Sequence, residues 1–173
     1  MIHITLDLGN LPSVLAALSS PSIAQRVASA AAESYNDDVH DWIDAGRGFT
    51  PQYGHLQQAV NWRPVGNGAA EVYIRDQTFR NYNQKLDYAF DANPAGYAWF
   101  VEHGSGPHVI GPKAGRKGIK IPVSGGDGYI LRRSANHPGS RARPFFYADQ
   151  AGRSQRIQAR ALSVLASAMG SGQ

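Results

Sequence analysis

The chain has 173 residues, a length typical of one domain that buries a hydrophobic core. Hydrophobic residues make up 42% of it and charged residues 17%, a balance that argues against disorder of the whole chain. Cysteine is absent, the first residues do not resemble a signal peptide, and no apolar run approaches the roughly 18 residues that a membrane span requires. We therefore expect a soluble, cytoplasmically made protein without disulfides, thiolate metal sites or membrane contact.

Charge is unevenly distributed along the chain. The formal net charge is +4, yet the segment between Arg26 and Arg47 contains acids and no bases. The segment from Lys113 to Arg143 shows the reverse, because its bases are accompanied by the single acid Asp127. A self-complementary assembly protein and a nucleic-acid-binding protein both predict such segregation.

The N-terminal part is predicted to contain one strand and two helices. Apolar and polar residues alternate from Ile2 to Leu8, as in a strand with one buried face, and the apolar residues from Leu11 to Leu18 have helical spacing. After Pro21, apolar residues recur at helical spacing up to Gly46, which predicts a long first helix. Its acids form a stripe roughly opposite the apolar face, here called the acidic stripe: Glu33, Asp37, Asp41 and Asp44.

The middle of the chain begins with a predicted β-hairpin. Val60–Val65 and Ala69–Arg75 flank Gly66-Asn67-Gly68, whose residues tolerate the positive φ of a tight turn. The polar stretch Asp76–Asn93 has no clear period and is predicted to be a long connection. Ala95–His103 is predicted to form a short helix. The residues expected to share one face of that helix are Tyr97, Phe100 and Val101.

The C-terminal part predicts a second pair of strands and a second long helix. Ile119–Val123 alternates between two glycines, and Tyr129–Arg132 is a candidate to pair with it. After Phe145–Ala148, helical spacing predicts an apolar face. That face comprises Ile157, Ala161, Leu165 and Ala168. The bases predicted on another side of this helix are Arg153, Arg156 and Arg160.

These elements predict the α+β class. We expect a single domain, residues 1–173, with two long amphipathic helices packed on a small antiparallel sheet. Residues 104–143 are expected to form an extended basic loop and strand region, because glycine and proline are frequent there.

The sequence offers weak signals for catalysis or metal binding. Glu102-His103 and His108 provide two imidazoles and one carboxylate, but zinc sites need three or four ligands. We expect Glu102 to pair with a base or a backbone N–H, and His108 to lie in a loop. The segment 111–118 resembles a phosphate-binding loop only in composition, because Gly115 is followed by Arg116 and then by a strand. We therefore expect no enzyme activity, catalytic residue, cofactor or metal.

Ordered blocks of sequence resemble the phage minor tail family, whose members are also described as tail-completion or neck proteins. The best match begins at Tyr97–His108 and continues through Pro112-Lys113 and Ile119–Val123. It ends with Asn136–Ser140 and Ala142–Ala148. Upstream, the segment Phe49-Thr50-Pro51-Gln52-Tyr53-Gly54-His55-Leu56 is similar to a turn that such proteins place before their first hairpin. The chain departs from the family at His103 and in the polar stretch between the two matching parts.

The resemblance implies a structural virion protein at the head–tail junction of a tailed bacteriophage. Its expected partners are further copies of itself in a ring and the neighbouring connector or tail proteins, with contact to genomic DNA as a further expectation. Such a protein is made in the host cytoplasm and becomes part of the virion. The alternative is a basic nucleic-acid-binding accessory protein, although no known reader motif is present.

Opposite charges on separate faces favour head-to-tail closure of a ring. The residues predicted to contribute to subunit contacts are Glu33, Asp37, Asp41, Asp44, Lys113, Arg116, Lys117, Arg141 and Arg143. An equally simple alternative pairs the acidic stripe with Arg153, Arg156 and Arg160 inside one subunit.

Overall fold

The computed structural model describes residues 19–51, 53–83, 88–123 and 128–170, with the backbone alone at 82–83, 88–90 and 170. The predicted α+β class is confirmed: two long helices accompany small antiparallel sheets. The chain divides into two compact units, of which the second is Asp76–Pro144 and the first contains the rest. The predicted strand at Ile2–Leu8 and helix at Leu11–Leu18 lie outside the described residues. The single domain proposed for residues 1–173 stays a prediction.

The elements follow each other as helices and strands of very different length. In chain order they are α1 (Pro21–Asp44), α2 (His55–Ala59), β1 (Val60–Gly66), β2 (Ala69–Ile74), β3 (Phe79–Asn83), β4 (Tyr88–Ala92), α3 (Pro94–His103), β5 (His108–Ile110), β6 (Ile119–Pro122), β7 (Tyr129–Arg132), β8 (Ala135–His137) and α4 (Gln150–Gly170). Each strand pairs with one antiparallel partner, so the described strands form two-stranded sheets.

Helix α1 is the centre of the first unit. It begins at Pro21, whose fixed φ suits the first helical turn, and it ends before Gly46, which has a φ of +67°. Every fourth residue along one line of the helix is buried, and the helix contacts both α4 and the β1–β2 hairpin. The residues of the line are Val27, Ala31, Tyr35, Val39 and Ile43. The predicted first long helix is therefore confirmed.

The β1–β2 hairpin has the predicted turn. Asn67 and Gly68 have φ values of +54° and +73°, as a two-residue type I′ turn requires. A Cβ atom at Gly68 would lie 2.9 Å from the Cβ of Ala24 on α1. Glycine is therefore needed both for its backbone conformation and for the close packing of this turn on the helix.

Helix α4 buries the predicted apolar residues Ile157, Ala161 and Leu165. The prediction for Arg153 is wrong, because this residue lies on the buried face and is only 1% exposed. Arg153 precedes Ile157 by four residues, which places both on one side of the helix. Its Nη1 and Nη2 atoms donate to the carbonyl oxygens of Phe146 and Phe145 over 2.5 and 2.8 Å.

The second unit begins with a hairpin where the sequence predicted a connection. Strands β3 and β4 pair from Phe79↔Ala92 to Asn83↔Tyr88. The prediction for Asp76–Asn93 is corrected accordingly: backbone hydrogen bonds form this ladder without an alternating apolar pattern. The side chain of Asn93 then accepts a hydrogen bond from the backbone N–H of Ala95 over 3.0 Å, which caps α3.

Helix α3 buries a different face from the one predicted. Pro94, Ala98 and Glu102 are buried at successive intervals of four residues, whereas Phe100 is 53% exposed. The prediction of the buried face was wrong because proline and glutamate are not counted as apolar residues when helical periodicity is assessed. Trp99, which is 63% exposed, lies beside Phe100 and makes this helix aromatic on its outer side.

Candidate functional site

The basic region predicted from the sequence is a hairpin that we call the arm, Ser105–Ser140. Its first ladder pairs β5 with β8, from His108↔His137 to Ile110↔Ala135. Its second ladder pairs β6 with β7, from Ile119↔Arg132 to Pro122↔Tyr129. The β6–β7 pairing was predicted, whereas β5 and β8 are too short to give a recognisable alternation. The region is therefore a two-stranded ribbon rather than an open loop.

A basic loop interrupts the arm on one side only. Between the two ladders the outgoing strand contains residues 111–118, whereas the returning strand contains only Arg133 and Ser134. Lys113, Arg116 and Lys117 lie in this insertion and are exposed. The backbone N–H of Arg116 donates to the carbonyl oxygen of Lys113 over 3.0 Å, so a turn displays the three cations.

Close backbone contacts join the two strands where the arm begins. Ser105 and Ser140 exchange two backbone N–H···O bonds of 3.0 Å each. Added Cβ atoms at Gly104 and Gly139 would lie 2.5 and 2.1 Å from the carbonyl oxygens of Ser140 and Ser105, respectively. We call these four residues the clasp. Only glycine permits such a close approach of the two strands.

Two further predicted interface residues follow the clasp. Arg141 and Arg143 are exposed. The backbone N–H of Arg143 donates to the carbonyl oxygen of Val101 over 2.8 Å, which ties this segment to α3. The clasp and this bond together fix the position at which the arm leaves the rest of the second unit.

The arm exposes apolar side chains as well as bases. Seven of the twelve exposed large hydrophobic residues among the described residues belong to the second unit, and five of these lie in the arm. The five are Val109, Val123, Tyr129, Ile130 and Leu131. Because neighbouring residues of a strand point to opposite faces, Leu131 and Ile130 place exposed apolar surface on both sides of the ribbon.

Bases accompany this apolar surface. The ammonium of Lys120 lies 4.2 Å from the ring centroid of Tyr129, a cation–π contact on one face of the ribbon. Exposed apolar area of this kind is typical of a surface that another molecule covers.

The structure divides the acidic stripe into two parts. Glu33 forms an ion pair of 3.9 Å with Arg160 of the same chain. Asp37, Asp41 and Asp44 are exposed and form no ion pair with another described residue. We call these three residues the acidic trio. Asp44 accepts a hydrogen bond from Gln57 over 2.5 Å.

Within the part of the chain that the structure describes, the predicted pairing of the stripe inside one subunit therefore occurs at Glu33 alone. A carboxylate outside the stripe forms the shorter contact: Asp38 accepts hydrogen bonds of 2.9 Å at both oxygens from Nε of Arg156. The hydrogen bond that the Arg156 guanidinium donates to Asp38 raises the pKa of this guanidinium. Sequence spacing missed Asp38 because it lies off the i+4 series, although its place on the helix adjoins Asp37.

The histidines considered for chemistry lie apart from any cluster of ligands. His103 stacks on Trp99 with ring centroids 3.7 Å apart. His108 lies in β5 rather than in a loop, opposite His137, and the two ring centroids are 4.9 Å apart. Across the described ranges, no group of three or more His, Asp or Glu side chains is placed to hold a metal ion.

Burial raises the pKa of the Tyr97 phenol. Among the helices of the described ranges, none is long and apolar enough to cross a membrane.

Comparisons of the chain with protein-family models, with curated proteins and with solved structures gave no match.

Proposed function

We propose that this protein is a non-enzymatic structural component of a tailed-phage virion, located in the neck or tail-completion ring at the head–tail junction. The sequence blocks that resemble the phage minor tail family coincide with α3, the clasp and the arm. Its partners in this proposal are other copies of the chain and the adjoining connector or tail proteins.

The observation that carries the proposal is the composition of the arm's surface. Val109 and Leu131 are 68% and 55% exposed, and Leu131 lies opposite Lys120 and next to Arg132 in its ladder. A two-stranded ribbon is only marginally stable by itself in water. The clasp fixes the base of the arm. The side chains along the arm provide apolar and cationic groups for contact with another protein. Such a surface suits assembly with another protein better than catalysis.

The test is imaging of particles assembled without the protein. A phage lacking the gene is grown with or without a plasmid copy, and the particles are counted by negative-stain electron microscopy. The proposal expects separate heads and tails without the plasmid and complete virions with it. Complete virions in both cultures would refute the proposal.

A pair of matched variants connects this phenotype to the arm. Leu131→Asp alters an arm residue that is 55% exposed, and Leu162→Asp alters a residue of α4 that is 47% exposed. Both variants should fold, because both side chains are largely in solvent. The proposal expects the Leu162→Asp copy to restore virions and the Leu131→Asp copy to fail. Equal restoration by both would exclude the arm as the assembly surface.

A second candidate function is supported by the same charges. The arm contains six bases and the single acid Asp127, so it would attract phosphates of nucleic acid. A two-stranded ribbon is also a known shape for entering a DNA groove. Binding of the isolated protein to generic duplex DNA, weakening steeply with salt, would favour this role.

A further inference from the structure

We infer that the arm binds a second copy of this chain, on the surface of α1 that carries the acidic trio Asp37, Asp41 and Asp44. This inference rests on the proposed ring component and names the two surfaces that meet in the ring. The contact is heterologous, because the arm of one copy meets a different surface on the next copy.

The bases of the arm are available for such a contact. Lys113, Arg116, Lys117, Arg132 and Arg133 are exposed, and none forms an ion pair with another described residue. Within the described part of the second unit from Asn93 onward, the one acidic residue is Glu102, which is 7% exposed. Among the described residues of the second unit from Asn93 onward, the cationic surface of the arm thus has no exposed acidic counterpart.

The acids of α1 differ in whether they pair with bases of their own chain. Glu33 and Asp38 already pair with Arg160 and Arg156 of their own chain. Among the described residues, no Lys or Arg forms an ion pair with the acidic trio. Its members are separated by four and three residues, so they share one side of the helix over roughly 10 Å. Intramolecular pairing thus leaves a compact anionic surface on the helix that forms the centre of the first unit.

The apolar residues of the arm would strengthen this contact. A contact made only of exposed ion pairs is weak, at about 0 to 1 kcal/mol for each pair. Tyr129, Ile130 and Leu131 add exposed apolar surface next to Arg132 and Arg133. The apolar residues provide area to bury, and the opposite charges select which surface is buried. Binding in a DNA groove would involve the Lys and Arg side chains of the arm but would leave most of these apolar side chains without a partner.

The test uses two charge-reversed variants of the full chain. Variant one, Arg132→Glu with Arg133→Glu, makes the arm acidic. Variant two, Asp37→Lys with Asp41→Lys, makes the trio basic. A control with the same change in net charge as variant one is Arg26→Glu with Arg47→Glu, since both arginines are exposed on the first unit. Circular dichroism confirms that each variant folds, and sedimentation velocity measures its assembly.

The expected result is an oligomer for the wild type and the control, and a roughly 100-fold weaker self-association for variants one and two alone. An equimolar mixture of variants one and two should assemble again, because the acidic arm of one meets the basic trio of the other while their unchanged surfaces pair as in the wild type. High salt should weaken all these assemblies. Restoration by mixing distinguishes contact between copies from contact within one chain.

Three outcomes would overturn the inference. The wild type could remain a monomer at every concentration, the variants could assemble as well as the wild type, or the mixture could fail to assemble. Loss of DNA binding in variant one with unchanged assembly would assign the arm to nucleic acid instead. If particles require the protein but the purified chain is a monomer, the proposed function stands and this inference fails.

Discussion

The guanidinium of Arg153 donates a hydrogen bond from Nη2 to the carbonyl oxygen of Phe145 over 2.8 Å, inside the first unit. The Cζ atom of Arg153 also lies 5.3 Å from the ring centroid of Tyr35. Arg153 thereby connects α4 to the segment before it and to α1. A charged side chain that is 1% exposed is stabilising only while its hydrogen bonds are made.

Replacement of Arg153 by Met should therefore destabilise the protein by about 3 kcal/mol. The substitution keeps much of the side-chain volume but removes two buried hydrogen bonds donated by a charged group, and such bonds are worth about 1.5 to 3 kcal/mol each. The carbonyl oxygen of Phe146 keeps the hydrogen bond from the Tyr35 hydroxyl, which limits the loss. Urea denaturation followed by circular dichroism measures the change in the free energy of unfolding. Arg156→Met is the control, since that side chain is 49% exposed and its loss should cost under about 1 kcal/mol. Similar losses for the two variants would contradict the assigned role of Arg153.

Arg153 also shows where prediction from the sequence reached its limit. The face with Ile157, Ala161 and Leu165 was predicted correctly because helical period and hydrophobicity coincide there. Arg153 lies four residues before Ile157 and so continues this face toward the N-terminus of the helix. Its charge, however, suggested a position that faces solvent. Burial of an arginine depends on carbonyl acceptors from Phe145 and Phe146, and no periodicity reveals how those carbonyls are oriented.

The candidate site was predictable to a similar extent. The basic residues of the arm and the ladder of β6 and β7 followed from composition and alternation. The short ladder of β5 and β8 and the clasp did not, because pairings such as Ser105↔Ser140 join residues far apart in sequence through backbone groups. The division of the acidic stripe depends on which side of α1 faces α4, which is likewise a tertiary property.

Replacement of Gly139 by Ala should open the clasp at the base of the arm. Gly139 has a φ of +90°, and an added Cβ would lie 2.1 Å from the carbonyl oxygen of Ser105. Gly115→Ala is a matched control, because its φ is +78° but no atom lies within 4 Å of an added Cβ. We expect the control to cost about 1 kcal/mol from backbone strain alone and Gly139→Ala to cost more.

Hydrogen exchange of the Ser105 and Ser140 amides gives a local measurement of this effect. Both amides donate within the clasp, so their exchange should be faster in Gly139→Ala than in the wild type. Each 1.4 kcal/mol of local destabilisation should accelerate the exchange about tenfold. They should stay nearly as slow as in the wild type in Gly115→Ala. Unchanged protection of both amides in Gly139→Ala would show that the clasp does not hold the arm.

The contact between Arg156 and Asp38 predicts a measurable coupling between α4 and α1. A double-mutant cycle with Asp38→Asn and Arg156→Gln isolates the interaction energy. We expect about 0.5 to 1 kcal/mol, because Arg156 is half exposed while both oxygens of Asp38 accept from its Nε. The coupling should decrease in 1 M salt.

The matched cycle replaces Asp37 instead of Asp38. Asp37 is adjacent in sequence but forms no ion pair with another described residue, so its coupling to Arg156 should be close to zero. Equal coupling for the two acids would mean that Arg156 responds to the charge of α1 as a whole. The acidic trio would then be partly neutralised inside its own chain, and the charge available to attract the arm of a second copy would be smaller than the structure indicates.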